Sequence, residues 1–484
     1  MTLLIVVFVG IAALAAVGFL GRRAPAKDLG EWASGGGRMS TLTMWFLQAG
    51  EIFTTFSFLG LGALVFSAGV AALYVPVYLV VGYVVVFFTA PAIWRIGRSR
   101  GHLTNADFLG DRFASRGLGK TAAVVGIIFQ LPYLQLQITG LGLLVEIASD
   151  GRTSGTGAMV FAVCLVLAFV LWAGLRGIAR VAYVKDGLML TVLLALAILV
   201  PAHELGGPGG LFTSVREAAP ELLTIHAGPE NQTWFITAVL CSAIGSGCAT
   251  LPYVWPSMFA AGSPRILRHN SAMLPLFTVA LVLPMVVGFV ALIRLDGGAD
   301  GNTVLLEMAG RALPDWLLGV VVVGGIATAM VPSAAMILSL SSLVAKNLIP
   351  ARTAKGSLAV NHLTATVICA ATLLLAVLRP DALADLLLLT FSGLVQLAPG
   401  NLLGLLKQRP CDGSWVLGAM LAGVAVVAAI TFAPVDTGGF NEGLIGLAVN
   451  LVILGIGCAV QRGRGPQDVP AEVLSPAPEG TNAR

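Results

Sequence analysis

Charge is scarce in this chain. Asp, Glu, Lys and Arg make up 11% of its 484 residues, against about 25% in soluble domains. That excludes a water-soluble globular protein of this length. The six cysteines (Cys164, Cys241, Cys248, Cys369, Cys411 and Cys458) are scattered, with no CxxC pair and no Cys/His cluster. Neither a disulfide framework nor a zinc site is expected. There is no GxxxxGK[ST] phosphate loop, no HExxH and no GxSxG. These absences argue against ATP-driven pumping and against an enzyme. His102, His203, His226, His269 and His362 stand apart from one another. No cofactor, metal or nucleic-acid partner is expected.

What the chain has is apolar length: 57% hydrophobic residues and a mean hydropathy of +0.91. Windows of about 17–25 apolar residues mark membrane helices. Thirteen are found, at about 3–20, 41–68, 72–94, 119–148, 158–175, 184–202, 235–258, 272–295, 316–344, 360–378, 386–406, 415–432 and 442–460. The pattern predicts an all-α polytopic membrane protein. Arg22 and Arg23 follow the first apolar run rather than precede it, so it reads as a retained helix and not a signal peptide. Connections 203–234 and 296–315 are long enough for short surface helices. The segment 463–484 is rich in Pro, Gly, Glu and Ser and is expected to be disordered. With thirteen spans, 23 of the 28 Lys and Arg residues fall on one side. By the positive-inside rule the N-terminus lies outside and the C-terminus in the cytoplasm of a plasma-membrane protein. Arg112, Arg116, Arg176, Lys185 and Asp186 read as charges that anchor the inner face, with a cytoplasmic gate network as the alternative.

Glu51 breaks the apolar pattern. It lies near the middle of the second span, where a carboxylate is costly unless it faces protein or a water-filled cavity. Gly50, Gly60 and Gly62 share that span with Thr54, Thr55 and Ser57, which suggests a helix that opens in mid-membrane. The fourth span carries Gln130, Tyr133, Gln135 and Gln137 after Pro132. The seventh contains Gly245, Ser246, Gly247, Pro252, Tyr253 and Pro256, and should also be interrupted. Interrupted helices free backbone groups that need partners or a cavity. The two interrupted spans are five apart, and an offset of five reverses direction. That is the inverted repeat of secondary transporters, with the site where both helices break. The expected organisation is residues 1–40 as a first helix and loop, 41–202 and 235–406 as two five-helix repeats, 203–234 as an extracellular loop, 407–462 as two closing helices, and 463–484 as the tail.

Several stretches resemble the sodium:solute symporter family, and within it the monocarboxylate permease branch. Thr104-Asn105-Ala106-Asp107-Phe108 with Arg112-Phe113 is similar to the family's T-x-x-(D/E)-F…R-F loop. Leu131-Pro132-Tyr133 with Gln137 and Gly140, and Gly174-Leu175-Arg176 with Val184-Lys185-Asp186, resemble elements of the branch. So do Arg268-His269-Asn270 with Leu274-Pro275, the run Ala329 to Met336, and Gln396 with Pro399 and Gly404. The resemblance covers about residues 30–460 and implies a LeuT-like fold with a 5+5 inverted repeat. It implies no enzyme but a symporter that moves a small solute with a coupling ion, H+ or Na+. Sodium-coupled members place Ser-Thr in the ninth span, where Val331 and Pro332 stand here. Ser333 is the remaining hydroxyl, available to an ion where the helix unwinds at Pro332. The branch's Tyr-Pro-His in the seventh span is Leu251-Pro252-Tyr253 here.

The expectation is secondary active uptake of a small organic anion, such as pyruvate, lactate or a short-chain acid, by alternating access. The alternative is a family member for an amino acid, vitamin or polar solute. A transporter-like sensor fits less well, since only a short segment follows the last span. Thr54, Thr55, Gln137 and Tyr253 are the candidate substrate contacts. Gly60, Gly62, Gly247, Pro252 and Pro332 are the candidate helix breaks, and Glu51 and Ser333 the candidate coupling-ion residues. An ionised Glu51 would repel an anionic substrate, which favours a proton as the coupled ion. Membrane lipid is the expected surrounding, with no obligate protein partner.

Overall fold

A helix in lipid must satisfy its own backbone, so the informative places are those where the helices stop. The computed structural model describes residues 2–20, 26–149, 152–225, 230–295, 298–378, 383–433, 435–461 and 467–468. Most of them are helical. α1 (Thr2–Leu20) and the short α2 (Leu29–Ser34) lead into a broken span, α3 (Thr41–Ile52) and α4 (Leu61–Ala68), with a π-helical turn at Phe56–Gly60. Then come α5 (Tyr74–Arg100), the connecting α6 (Asn105–Arg112), α7 (Arg116–Ala148) and α8 (Gly155–Leu205). α9 (Leu211–Ala218) precedes a second broken span, α10 (Gln232–Gly247) and α11 (Val254–Ala260). α12 (Pro264–Phe277) and α13 (Val282–Arg294) form the next, followed by α14 (Val304–Ala312), α15 (Asp315–Leu343) and α16 (Ala354–Leu378). α17 (Leu383–Leu394) and α18 (Ala398–Gly404) share one span, and α19 (Gly413–Phe432) and α20 (Glu442–Gln461) close the bundle.

Each of the thirteen expected spans has its helix or helix pair. α8 holds two of them. Its 51 residues would run about 77 Å as one rod, far beyond a hydrocarbon core of about 30 Å. Gly174 divides it, with φ 53° and ψ −173°. That left-handed φ favours glycine, and a Cβ there would meet Trp32 Cδ1 at 3.1 Å. Of the segment 463–484, only Gln467–Asp468 is described, paired antiparallel with Gln408–Arg409. The rest lies outside the described residues, as do Arg22, Arg23, His226 and Arg379.

Three expected helix breaks are corrected. Gly60 ends the π turn and Gly62 lies inside α4; the opening comes earlier, at Phe53 and Thr54. Gly62 serves packing instead: a Cβ on the facing Gly288 would meet Gly62 O at 2.6 Å, so the two backbones touch. Pro332 sits inside an unbroken α15. That helix is buried among α1, α7 and α8, where no water rewards unwinding. Ser333 Oγ donates to Ala329 O at 2.6 Å within the same turn. Its hydroxyl is thus engaged by its own helix.

The connection between α5 and α7 explains the T-x-x-D element. Thr104 Oγ1 accepts from Asp107 N (3.0 Å), and the Asp107 carboxylate accepts from Thr104 N (3.2 Å) and Leu103 N (2.8 Å). This is a capping box on α6. The same carboxylate meets Lys346 Nζ at 2.9 Å and Asn347 Nδ2 at 2.7 Å. Arg112, at the other end of α6, donates to Gly404 O (2.6 Å) and Leu406 O (2.7 Å), capping the end of α18. One short helix therefore ties α15 to α18. Burial alone would raise the Asp107 carboxyl, but Lys346 and the Leu103 N–H outweigh it and hold it below its ordinary range. A depressed carboxyl stabilises the fold above its ordinary pKa and ceases to as pH falls through the lowered one. Asp107→Asn is expected to cost about 1 kcal/mol at neutral pH. The thermal midpoint difference from the native protein should shrink as pH falls below 3.8; a difference independent of pH would contradict this.

Candidate functional site

Ser40 starts α3 by accepting from Thr43 N, and α3 ends at Phe53, where ψ swings to 97°. The last turn of a helix leaves carbonyls without partners. Here they are taken one by one. Lys185 Nζ donates to Gly50 O (2.9 Å) and Phe53 O (2.7 Å), and lies 3.0 Å from Asp186 Oδ1. Ser57 Oγ donates to Ile52 O at 3.0 Å. Beyond the gap, Gln137 Oε1 accepts from Thr55 N at 3.0 Å, holding the start of the second half-helix. Lys185 and Asp186 are buried. They are not charges of a loop that anchor an inner face. They lie inside α8, and Lys185 is turned onto the open end of α3. Their position at the edge of an apolar window, beside loop arginines, concealed this.

The second break spans Cys248 to Tyr253, with Gly247 the last residue of α10 and Pro252 in the unwound stretch. Ala249 has φ 52°, the left-handed region. The freed carbonyls again meet side chains from elsewhere. Thr89 Oγ1 donates to Gly247 O (2.8 Å), Trp255 Nε1 to Ala249 O (2.8 Å), and Asn401 Nδ2 to Cys248 O (3.0 Å) and Ala249 O (3.1 Å). Thr89, Trp255 and Asn401 escaped the sequence reading. A lone Asn in an apolar span was the signal available for Asn401.

Glu51 lies between the two breaks and is buried. Its Oε2 is 3.1 Å from Ser257 Oγ, which is itself 3.0 Å from Val254 O. Oε1 has no hydrogen-bond partner among the described residues. The Glu51 side chain is part of the wall of a cavity of about 90 Å³. The walls are Gln48 and Glu51 from α3, Tyr78 and Tyr83 from α5, Tyr133 from α7, Tyr253 and Ser257 at the second break, and Phe391 from α17. Tyr133 and Tyr253 line the cavity, their ring centroids 6.1 Å apart and edge to face. Thr54 is buried at the first break and is not among the lining residues. Thr55 and Gln137 are turned to each other, with Thr55 Oγ1 and Gln137 Nε2 unpartnered among the described residues. Ser333 does not line the cavity.

Two helices broken in mid-span, facing one cavity, are the arrangement of a secondary transporter. The sodium:solute symporter family model matches residues 32–426. The chain belongs to the sodium:solute symporter family. It is a secondary symporter of the LeuT-like fold and not an enzyme. The uncharacterized symporter YhjB of Bacillus subtilis (strain 168) is 30% identical over 90% of this chain and 93% of its own. A monocarboxylate transport permease protein of Rhizobium johnstonii is 28% identical over 78% of this chain and 77% of its own. Among solved structures, a Na+-coupled sialic acid symporter in a substrate-bound outward-open state superposes with a TM-score of 0.78, at 14% identity, over 96% of this chain and 98% of its own. MhsT in complex with L-phenylalanine gives 0.56 at 13% identity, over 86% and 98%. The fold is thus shared across most of the chain with both solved structures.

Asn401 provides a direct check on the second break. Asn401→Ala leaves two buried carbonyls with fewer donors, which costs about 1–3 kcal/mol. The thermal midpoint of the detergent-purified protein should fall accordingly. An unchanged midpoint would mean that the unwound stretch is held by Thr89 and Trp255 alone.

Proposed function

We propose that the protein takes up a small monocarboxylate together with a proton, by alternating access around the two helix breaks. The carrying observation is Glu51: a buried carboxyl between the two breaks, among the residues that line the cavity, with one oxygen lacking a hydrogen-bond partner among the described residues. The Rhizobium relative supports the substrate class. The cavity walls mix hydroxyls that bind a carboxylate with rings that pack against a short carbon chain. Thr54, Tyr133 and Tyr253 are the proposed polar contacts. Around Glu51 the titratable groups are Tyr83, Tyr133, Tyr253 and Lys185. Only Lys185 carries a positive charge, and Asp186 balances it. An anionic substrate therefore enters beside a carboxyl, and a proton on Glu51 removes the repulsion between them.

The repeats are residues 41–202 and 235–406 in this reading, with the N-terminus outside and the C-terminus cytoplasmic. Membrane lipid covers the apolar side chains exposed around the bundle, such as Phe88, Leu363, Phe432 and Val460. In proteoliposomes, uptake of labelled lactate or pyruvate should rise with an inward proton gradient. Glu51→Gln should reduce that driven uptake to the level of protein-free liposomes while sparing exchange of labelled for unlabelled substrate. Full pH-driven accumulation by the variant would overturn the assignment of Glu51.

A further inference from the structure

The family name implies a sodium ion, and the break of the first broken span tests whether this chain has a place for one. Sodium is a hard cation that needs several oxygen ligands. The family's Ser-Thr pair in the ninth span would bring two hydroxyls, but Val331 and Pro332 stand there. α3, α8 and α15 meet at Gly50: a Cβ on it would come within 3.2 Å of Ala182 Cβ, 3.3 Å of Val331 Cγ1 and 3.5 Å of Asp186 Oδ1. The oxygens at this meeting point, Gly50 O and Phe53 O, both accept from Lys185 Nζ, and Asp186 Oδ1 is the third oxygen near it. The ammonium donates to both carbonyls, and Asp186 Oδ1 lies 3.0 Å away as an ion-pair contact. Ser333, the nearest hydroxyl in sequence to the replaced pair, bonds back to Ala329 O. The residues present do not fit a dissolved sodium ion.

We propose that the Lys185 ammonium is a covalently tethered occupant of the cation position at this break, so that the protein takes no sodium there and draws on no sodium gradient. Asp186 supplies the local counter-charge. The inference deepens the transport reading above by saying which cation holds the open end of α3, and it does not depend on the substrate. A buried ammonium that donates to two carbonyls and is paired with a carboxylate fills the position. Removing the ammonium leaves oxygens of the kind that bind sodium.

The test compares thermal midpoints of the detergent-purified, full-length protein in sodium chloride and in choline chloride at matched ionic strength. The native protein should give the same midpoint in both. Lys185→Ala should be less stable in choline chloride and recover with a saturable dependence on sodium. A saturable sodium effect on the native protein would overturn the proposal, and so would a folded variant indifferent to sodium. Where the variant does not fold, lactate uptake by the native protein in sodium-free proteoliposomes decides: sodium-free uptake equal to that with sodium agrees with the proposal, and uptake that requires sodium contradicts it. The midpoint is read without substrate, so failure of the monocarboxylate reading leaves this result standing.

Discussion

The carbonyls opened at Gly50 and Phe53 need donors inside the membrane, and the Lys185 ammonium supplies them. The rest of the site follows from that contact. It lets α3 stop at mid-span without water, which puts Glu51 on the last turn of a half-helix, at the wall of the cavity. A charge on one helix that caps the end of another also fixes their relative position. α3 is thereby set against α8 and α15.

Both breaks are closed by the same logic, with different chemistry. In lipid the unwound backbone persists only where side chains or a cavity satisfy it. At the first break the partners are Lys185, Ser57 and Gln137; at the second they are Thr89, Trp255 and Asn401. Most of those residues come from α5, α7, α8 and α18, so each break is stitched to distant parts of the chain. The capping box at Thr104 and Asp107 does similar work at the edge of the bundle. Polar side chains are few in this protein, and a large share of the buried ones serve to complete the backbone.

The spans were legible because membrane helices are marked by apolar length, and all thirteen have counterparts. Glu51 was legible because a carboxyl in mid-span is costly and stands out against the apolar residues around it. The place of the first break was not. Gly60 and Gly62 carry the usual signal of an interruption, yet the chain opens at Phe53 and Thr54, where the Thr54 hydroxyl is the one hint; the partner of the freed carbonyls, Lys185, lies far along the sequence. Pro332 misled in the other direction, since a buried helix packed on several sides keeps its course through a proline. Lys185 itself looked like a loop charge, because sequence reading sorts a lysine near a span edge by charge and not by what it touches. Gln137 was singled out as a polar residue of interest, but its oxygen serves the Thr55 N–H, a use visible only in three dimensions.

The driving ion is the point on which Glu51, Lys185 and the replaced Ser-Thr pair converge. The most direct measurement follows the pH inside proteoliposomes loaded with a trapped fluorescent indicator, in sodium-free buffer, after lactate is added outside. With protein-free liposomes subtracted to remove diffusion of the free acid, proton-coupled uptake predicts a rapid, saturable acidification of the lumen that needs no sodium. A lumen that acidifies no faster than in protein-free liposomes, with uptake appearing only when sodium is added, would contradict it.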